Sequence, residues 1–164
     1  MDEVQLGALG RGERVESWLG EAPAREEALV ASEERLGAWF PPVLRGLFLA
    51  SDGWRHLDDC VEDVHPCGRV VWMRDSDVST RVIETYDSIP GNEDDVQLFR
   101  RPIEIARGED FRLLDPTGVG PDGEWAAYEF APKYGDTTKS PSFSALFHSA
   151  YADMEEDQDE EDMD

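Results

Sequence analysis

Residues 26–53 constrain the fold of this chain more than any other stretch, because they spell helix, stop, double proline, helix, stop. Glu26-Glu27-Ala28-Leu29-Val30-Ala31-Ser32-Glu33-Glu34-Arg35-Leu36 runs into Gly37, and Pro41-Pro42-Val43-Leu44-Arg45-Gly46-Leu47-Phe48-Leu49-Ala50 runs into Asp52-Gly53. Pro23 sits where a first helix can begin, since its missing N–H is not needed in the first turn. Glu26 and Glu27 then face the positive end of the helix dipole. Leu29, Ser32 and Leu36 share one side of this helix, and Gly37 supplies a C-terminal cap. In the second helix Val43, Leu44, Leu47 and Phe48 form one apolar stripe. Two short helices with one apolar stripe each must bury them on one another or on a sheet.

The sheet is legible further on. Val70–Met73 is β-branched and aromatic and predicts a strand. Residues 77–88 predict a helix with Val78, Val82 and Tyr86 four apart, and residues 90–97 (Pro90-Gly91-Asn92-Glu93-Asp94-Asp95 at their start) predict a loop. Ile103–Ala106, Phe111–Leu114 and Trp125–Phe130, separated by turn residues, predict an antiparallel meander. In its last strand Ala126, Tyr128 and Phe130 share one face, and Trp125, Ala127 and Glu129 the other. Ser140-Pro141-Ser142 opens a final helix whose stripe is Phe143, Leu146, Phe147, Ala150 and Tyr151. The expected architecture is a single α+β domain, an antiparallel sheet flanked by N-terminal helices and one C-terminal helix. Residues 1–12 are expected to be loose, with Trp18 and Leu19 docking as a short turn. Residues 13–152 form the domain, and 153–164 are expected to be a disordered acidic tail.

That tail carries nine acids and no base, and the whole chain has 38 acids against 15 Lys and Arg, for a net charge of −23. Subtracting the nine tail charges from −23 leaves −14 on residues 1–152, so the domain itself is acidic. Such a field repels nucleic-acid phosphates and anionic membranes and attracts basic proteins. Nucleic-acid binding is therefore not expected, because phosphate contacts need clustered Lys and Arg. Two cysteines do not make a disulfide framework. The start of the chain lacks the basic and apolar regions of a signal peptide, and no apolar run reaches the roughly 20 residues of a membrane span. The expectation is a cytoplasmic protein without membrane contact.

Few residues suggest chemistry. Gly118-Val119-Gly120-Pro121-Asp122-Gly123 matches G-x-G-x-x-G, but a dinucleotide site needs a helix directly after it. Here Glu124-Trp125 opens a strand, so a hairpin turn is expected. His56, Cys60, His65 and Cys67 supply zinc-type ligands at an unusual spacing, H-x3-C-x4-H-x-C, without a Cys-x2–4-Cys pair. A cysteine nucleophile needs a lowered thiol pKa, and this acidic neighbourhood opposes it. Carboxylate pairs are too abundant to point to glycoside chemistry. The tail lacks the glycine and the helices of a calcium loop. No catalytic residue, metal or cofactor is expected.

The order of motifs resembles the SUKH superfamily. Ser17-Trp18-Leu19-Gly20 and the two-helix run with its Pro-Pro and Asp-Gly punctuation are similar to the opening of that family. Phe111-Arg112-Leu113-Leu114-Asp115-Pro116 followed by Asp122-Gly123-Glu124-Trp125-Ala126-Ala127-Tyr128-Glu129-Phe130-Ala131 is similar to its central strand pair. Ser140-Pro141-Ser142-Phe143-Ser144-Ala145-Leu146 resembles its closing helix, and Trp72 falls where an aromatic strand residue is common. The resemblance spans about residues 17–151. Pro132–Lys139 departs from it in lacking aromatic residues, Ala38-Trp39-Phe40 is bulkier than the usual linker, and the acidic tail is not a general family feature.

The resemblance implies an α+β domain without catalytic residues. It also implies an immunity-type role, in which the protein blocks a cognate toxin domain by direct contact. Toxin domains that act on nucleic acid carry basic grooves, which an acidic protein complements with a gain in association rate. The alternative within the same superfamily is a regulatory or scaffolding adaptor. A zinc-binding enzyme built on a His56–Cys67 loop is a third reading. The expected partner surface is Asp52, Trp54, Asp58, Asp59 and Glu62, a presumed loop that joins acids to an aromatic anchor.

Overall fold

The structure is a computed structural model, and it describes residues 20–149 and 152. The expectations for residues 1–12, Trp18, Leu19, Ala150, Tyr151 and the acidic tail lie outside the described residues.

Strand pairing organises the chain around one strand, Ile103–Arg107. Numbered in chain order, the strands are β1 (Trp54–Asp58), β2 (Val61–Val64), β3 (Val71–Trp72), β4 (Ile103–Arg107), β5 (Phe111–Val119), β6 (Trp125–Ala131) and β7 (Asp136–Ser140). They form one seven-stranded sheet in the order β1-β2-β4-β5-β6-β7, and every pairing is antiparallel. β4 uses one edge for β5 and divides the other. β2 takes its C-terminal half (Val64 opposite Ala106), and β3 takes its N-terminal half (Trp72 opposite Ile103).

Helices cover both faces. α1 (Glu26–Leu36), α2 (Pro42–Ala50) and the C-terminal helix α5 (residues 143–149) lie on one side, and α3 (Asp77–Asp87) and α4 (Glu93–Phe99) on the other. The two-residue period of β6 feeds both cores. Trp125 and Ala127 join Leu29, Leu44, Phe48, Phe143 and Leu146, while Ala126, Tyr128 and Phe130 join Phe99, Phe111 and Met73. A sheet buried on both sides reads as a near-continuous apolar run, as β4 and β6 do. The architecture is the single α+β domain expected.

Local details follow from the residues. α1 starts at Glu26, later than Pro23 suggested, and Gly37 ends it in the left-handed region (φ 66°), which is inexpensive only for glycine. Pro42 opens α2 at a first-turn position. Ser142 caps α5, accepting the Ala145 N–H at 3.1 Å. The strand expected over Val70–Met73 shortens to Val71–Trp72, because 3-10 turns at Cys67–Arg69 and Met73–Asp75 bend the chain on both sides. The loop expected over 90–97 is instead largely helical. Asn92 precedes α4, three acids fill its first turn, and Val96 and Phe99 are buried. In α3 the buried positions are Ser79 and Ile83, whereas Val78 is exposed.

Candidate interaction surface

The segment read as a loop from His56 to Cys67 is a β-hairpin, β1–β2, and this corrects the sequence reading. Val61 and Val64 are buried and Leu57 packs on the core, while Glu62 between the valines is exposed and Asp63 is half-buried. The loop reading failed because His56 takes a left-handed conformation (φ 55°) and a register shift falls between Arg55 and Asp58. Both interrupt the two-residue period on which strand recognition depends. Among the described residues, β1 has no sheet neighbour beyond β2 except for a single bridge between Gly20 and Trp54.

The expected surface residues separate into two groups. Asp59 and Glu62 are exposed on this hairpin, and Asp58 ends β1. Asp52 and Trp54 have structural partners. Asp52 accepts the Cys67 N–H at 2.7 Å and so ties the end of α2 to the turn after β2. The Trp54 ring lies 5.9 Å from Phe147 and packs on the core. Glu21, Asp52 and Asp63 line a cleft of about 360 Å³, together with Arg55 and Arg69, so the base of the hairpin carries mixed charge. Of the expected surface residues, Asp59 in the turn and Glu62 at the start of β2 are the ones described as exposed acids.

The zinc-type residues are not assembled. His56 is exposed on β1, Cys60 lies in the hairpin turn, and Cys67 is buried at a 3-10 turn. Among the described residues no three His, Cys, Asp or Glu side chains converge on a metal position. Burial pushes the Cys67 thiol up; a hydrogen bond with Ser32 opposes this, and Asp52 adds to it. The Gly118–Gly123 run is the β5–β6 turn, with Gly123 at φ 80° and its N–H donated to the Gly120 carbonyl at 3.0 Å.

His65 belongs to a buried polar cluster that sequence reasoning missed. Its Nε2 lies 2.9 Å from Glu104 Oε1, and the Ser79 hydroxyl donates to Glu104 Oε2 at 2.5 Å. Arg107 Nη1 approaches Glu104 Oε1 at 3.5 Å. His65 is 5% exposed, Glu104 1% and Ser79 0%. Burial alone raises the Glu104 pKa. The hydrogen bonds from His65 and Ser79 and the nearby charges of Arg107 and His65 outweigh burial and hold the carboxyl below its ordinary value. Ser79 gives its proton to the carboxylate rather than to the imidazole. The cluster is therefore a strut joining α3, β4 and the turn after β2. A second buried carboxylate, Glu33, accepts the Phe40 N–H at 3.0 Å and Arg45 Nη1 at 2.7 Å, and Arg45 also pairs with Glu26.

The second candidate surface is apolar. Val43 and Leu47 of α2 and Phe143 and Phe147 of α5 line a groove of about 460 Å³ that also includes Ser144 and His148. Leu44 and Phe48 of the α2 stripe go into the core, while Val43 stays 44% exposed. The stripe was legible in the sequence, but which half of it would stay open was not.

No protein-family model matches this chain, and no curated protein matches it. Among the described residues no helix is long and apolar enough to cross a membrane.

Proposed function

We propose that this chain is a non-catalytic binding protein of the SUKH type. In this reading it captures a basic protein, an immunity-type target such as a toxin domain that acts on nucleic acid. One observation carries the reading: the acidic tip of the β1–β2 hairpin, Asp59 and Glu62, stands exposed at a sheet edge of a chain whose net charge is −23. Asp52 and Trp54 brace the base of the hairpin that carries these charges. Fixed charges of one sign steer an oppositely charged groove during encounter and raise the association rate.

The order of elements supports the same reading. The motifs of the resemblance fall on two helices, a strand bearing Trp72, a strand pair and a capped final helix. The test is genetic and kinetic. A host expressing the toxin domain encoded beside this gene should grow when this chain is co-expressed. Association of the purified pair should slow as salt rises, since exposed charges are screened over about 8–10 Å. It should slow again in the Asp59→Lys, Glu62→Lys double variant. Growth rescue with neither salt nor charge dependence would remove the acidic-tip mechanism. Absence of rescue would leave the adaptor reading of the same superfamily.

A further inference from the structure

The side of the molecule built by α3 and α4 carries a cleft of about 390 Å³, lined by Arg74, Thr80, Ile83, Glu84 and Arg100. Thr80, Ile83 and Glu84 share one side of α3, because they fall at i, i+3 and i+4. Arg74 comes from the 3-10 turn before α3, and Arg100 from the residue that ends α4. Two arginines therefore face one cleft in a chain where 38 acids stand against 15 Lys and Arg. Gathering like charges is unfavourable unless an anion sits with them. The described carboxylates do not supply one. Among the described residues neither Arg74 nor Arg100 forms an ion pair, although Glu84 lines the same cleft and Asp75 and Asp77 lie close to Arg74 in sequence. The adjacent Arg101, by contrast, pairs with Asp115 at 3.1 Å.

Arg74 is held in position before any ligand arrives. Its guanidinium carbon lies 4.6 Å over the Trp72 ring, and Trp72 is itself fixed by donating its Nε1–H to the Leu36 carbonyl at 3.2 Å. Arg74 Nη1 donates to the Arg100 carbonyl at 2.7 Å, and the Thr80 hydroxyl donates to the Arg74 carbonyl at 3.1 Å. A guanidinium carries five N–H donors, so most of those on Arg74 remain for a ligand. A side chain already fixed loses little entropy when it binds.

We infer that the cleft between Arg74 and Arg100 is a binding site for a phosphate monoester, with the phosphate on the two guanidinium groups and the ester substituent against Ile83. A monoester carries nearly two negative charges at neutral pH, which matches two arginines, and the planar fork of arginine fits phosphate oxygens in pairs. The net charge of −23 acts weakly on so small a ligand, because exposed charges are screened over about 8–10 Å. A nucleic acid would extend beyond the cleft over acidic surface and is not the ligand of this site. Glu84 opposes the anion from the same side of α3, so its removal and the removal of an arginine have opposite signs.

The experiment is a titration of the full chain with phenyl phosphate, inorganic phosphate and benzoate at fixed ionic strength, following the backbone amide NMR signals of Thr80, Glu84 and Arg100. These signals should move saturably with phenyl phosphate and at higher concentrations with inorganic phosphate, which has no group to place on Ile83. Arg100→Gln should weaken phenyl phosphate about tenfold or more, since each arginine supplies charge-assisted hydrogen bonds. Glu84→Gln should tighten it about two- to fivefold, as expected for loss of one exposed like charge. Arg74, Arg100 and Glu84 are all exposed, so the fold should survive each change, and Arg100→Gln keeps the backbone carbonyl that holds Arg74. Shifts that never saturate, or that saturate equally in wild type and Arg100→Gln, would mean general anion effects only and overturn the inference. Benzoate binding as tightly as phenyl phosphate would assign the cleft to carboxylates and overturn the phosphate class.

Discussion

The two faces of the sheet are sealed by different means. Beneath α3 and α4, aromatic rings pack on one another: Phe99 on Phe130 at 4.4 Å, Tyr86 on both at 5.4 and 5.5 Å, and Phe111 on Phe130 at 5.8 Å. Beneath α1, α2 and α5 the core is larger and more aliphatic, and its margin is incomplete. Leu47, Trp54 and Phe147 are only partly buried there, and the open groove lies beside them. These rings meet tilted or edge-on around Phe130, which touches three of them, so the packing of this face converges on that one side chain. A margin of half-covered side chains has spare contact capacity. The ring-packed face also has partly buried margins, at Val82, Tyr86 and Leu98, but the apolar groove, next to the acidic hairpin, lies on the other face, where a partner can add contacts.

The sharpest way to break this contrast is to remove the ring at the centre of the ring-packed face. Phe130 is fully buried and meets three other rings, so Phe130→Ala should cost about 3–5 kcal/mol in urea denaturation. A loss under about 1 kcal/mol would show that the ring-packed face does not carry the fold.

Next in size is Glu104, which ties β4 to α3. Glu104→Ala strands His65 and Ser79 without their acceptor and should cost about 3 kcal/mol. The pH dependence has a definite sign. The folded-state carboxyl titrates below its unfolded value, so its stabilisation is complete above the ordinary carboxyl range, about pH 4. That stabilisation disappears as pH falls through the folded value. Acid also relieves repulsion in a chain this negative, so the informative quantity is the difference between wild type and Glu104→Gln. That difference should shrink on acidification below about pH 4. A difference constant from pH 7 to pH 3 would refute the strut.

On the grooved face the effects should be smaller. Phe147 is only partly buried, and Phe147→Ala should cost about 1–2 kcal/mol, well under the Phe130 effect. Equal losses at the two positions would erase the contrast. At the hairpin tip, Asp59→Lys with Glu62→Lys should change stability by under about 0.5 kcal/mol while slowing capture of a basic partner. Unfolding of this variant would mean that the tip is structural.

The helices α1, α2, α3 and α5 and the strands β3, β4, β5 and β6 were legible in the sequence, from apolar periodicity or β-branched and aromatic runs. The peripheral elements were not, and each failed for a local reason. β7, Asp-Thr-Thr-Lys-Ser, is an edge strand without one apolar residue, and it is held by pairing with β6 rather than by its own burial. α4 has seven residues behind a Pro-Gly-Asn turn, too few to show a period. The hairpin offers no regular alternation to read, because β2 buries Val61 and Val64 three residues apart and His56 in β1 is left-handed. Of the candidate surface, the acids could be read individually. That Asp52 is a brace and Trp54 a core contact depends on partners far along the chain. The same holds for His65, whose acceptor, Glu104, lies on a different strand.

The divided edge of β4 sets a timetable for synthesis. A ribosome delivers α1, α2 and the β1–β2 hairpin first, yet Val64 finishes its pairing against Ala106, and Trp72 against Ile103. Until the second half of the chain has emerged, Leu44, Phe48, Val61 and Val64 have no sheet to close over, and their apolar surface stays available to chaperones or to other nascent chains. A stalled or truncated product ending before Ile103 would expose about half of the apolar residues this fold buries and would lack the strands that close over them. Such fragments should be insoluble, and the gene should tolerate premature stops after α5 far better than any before β4.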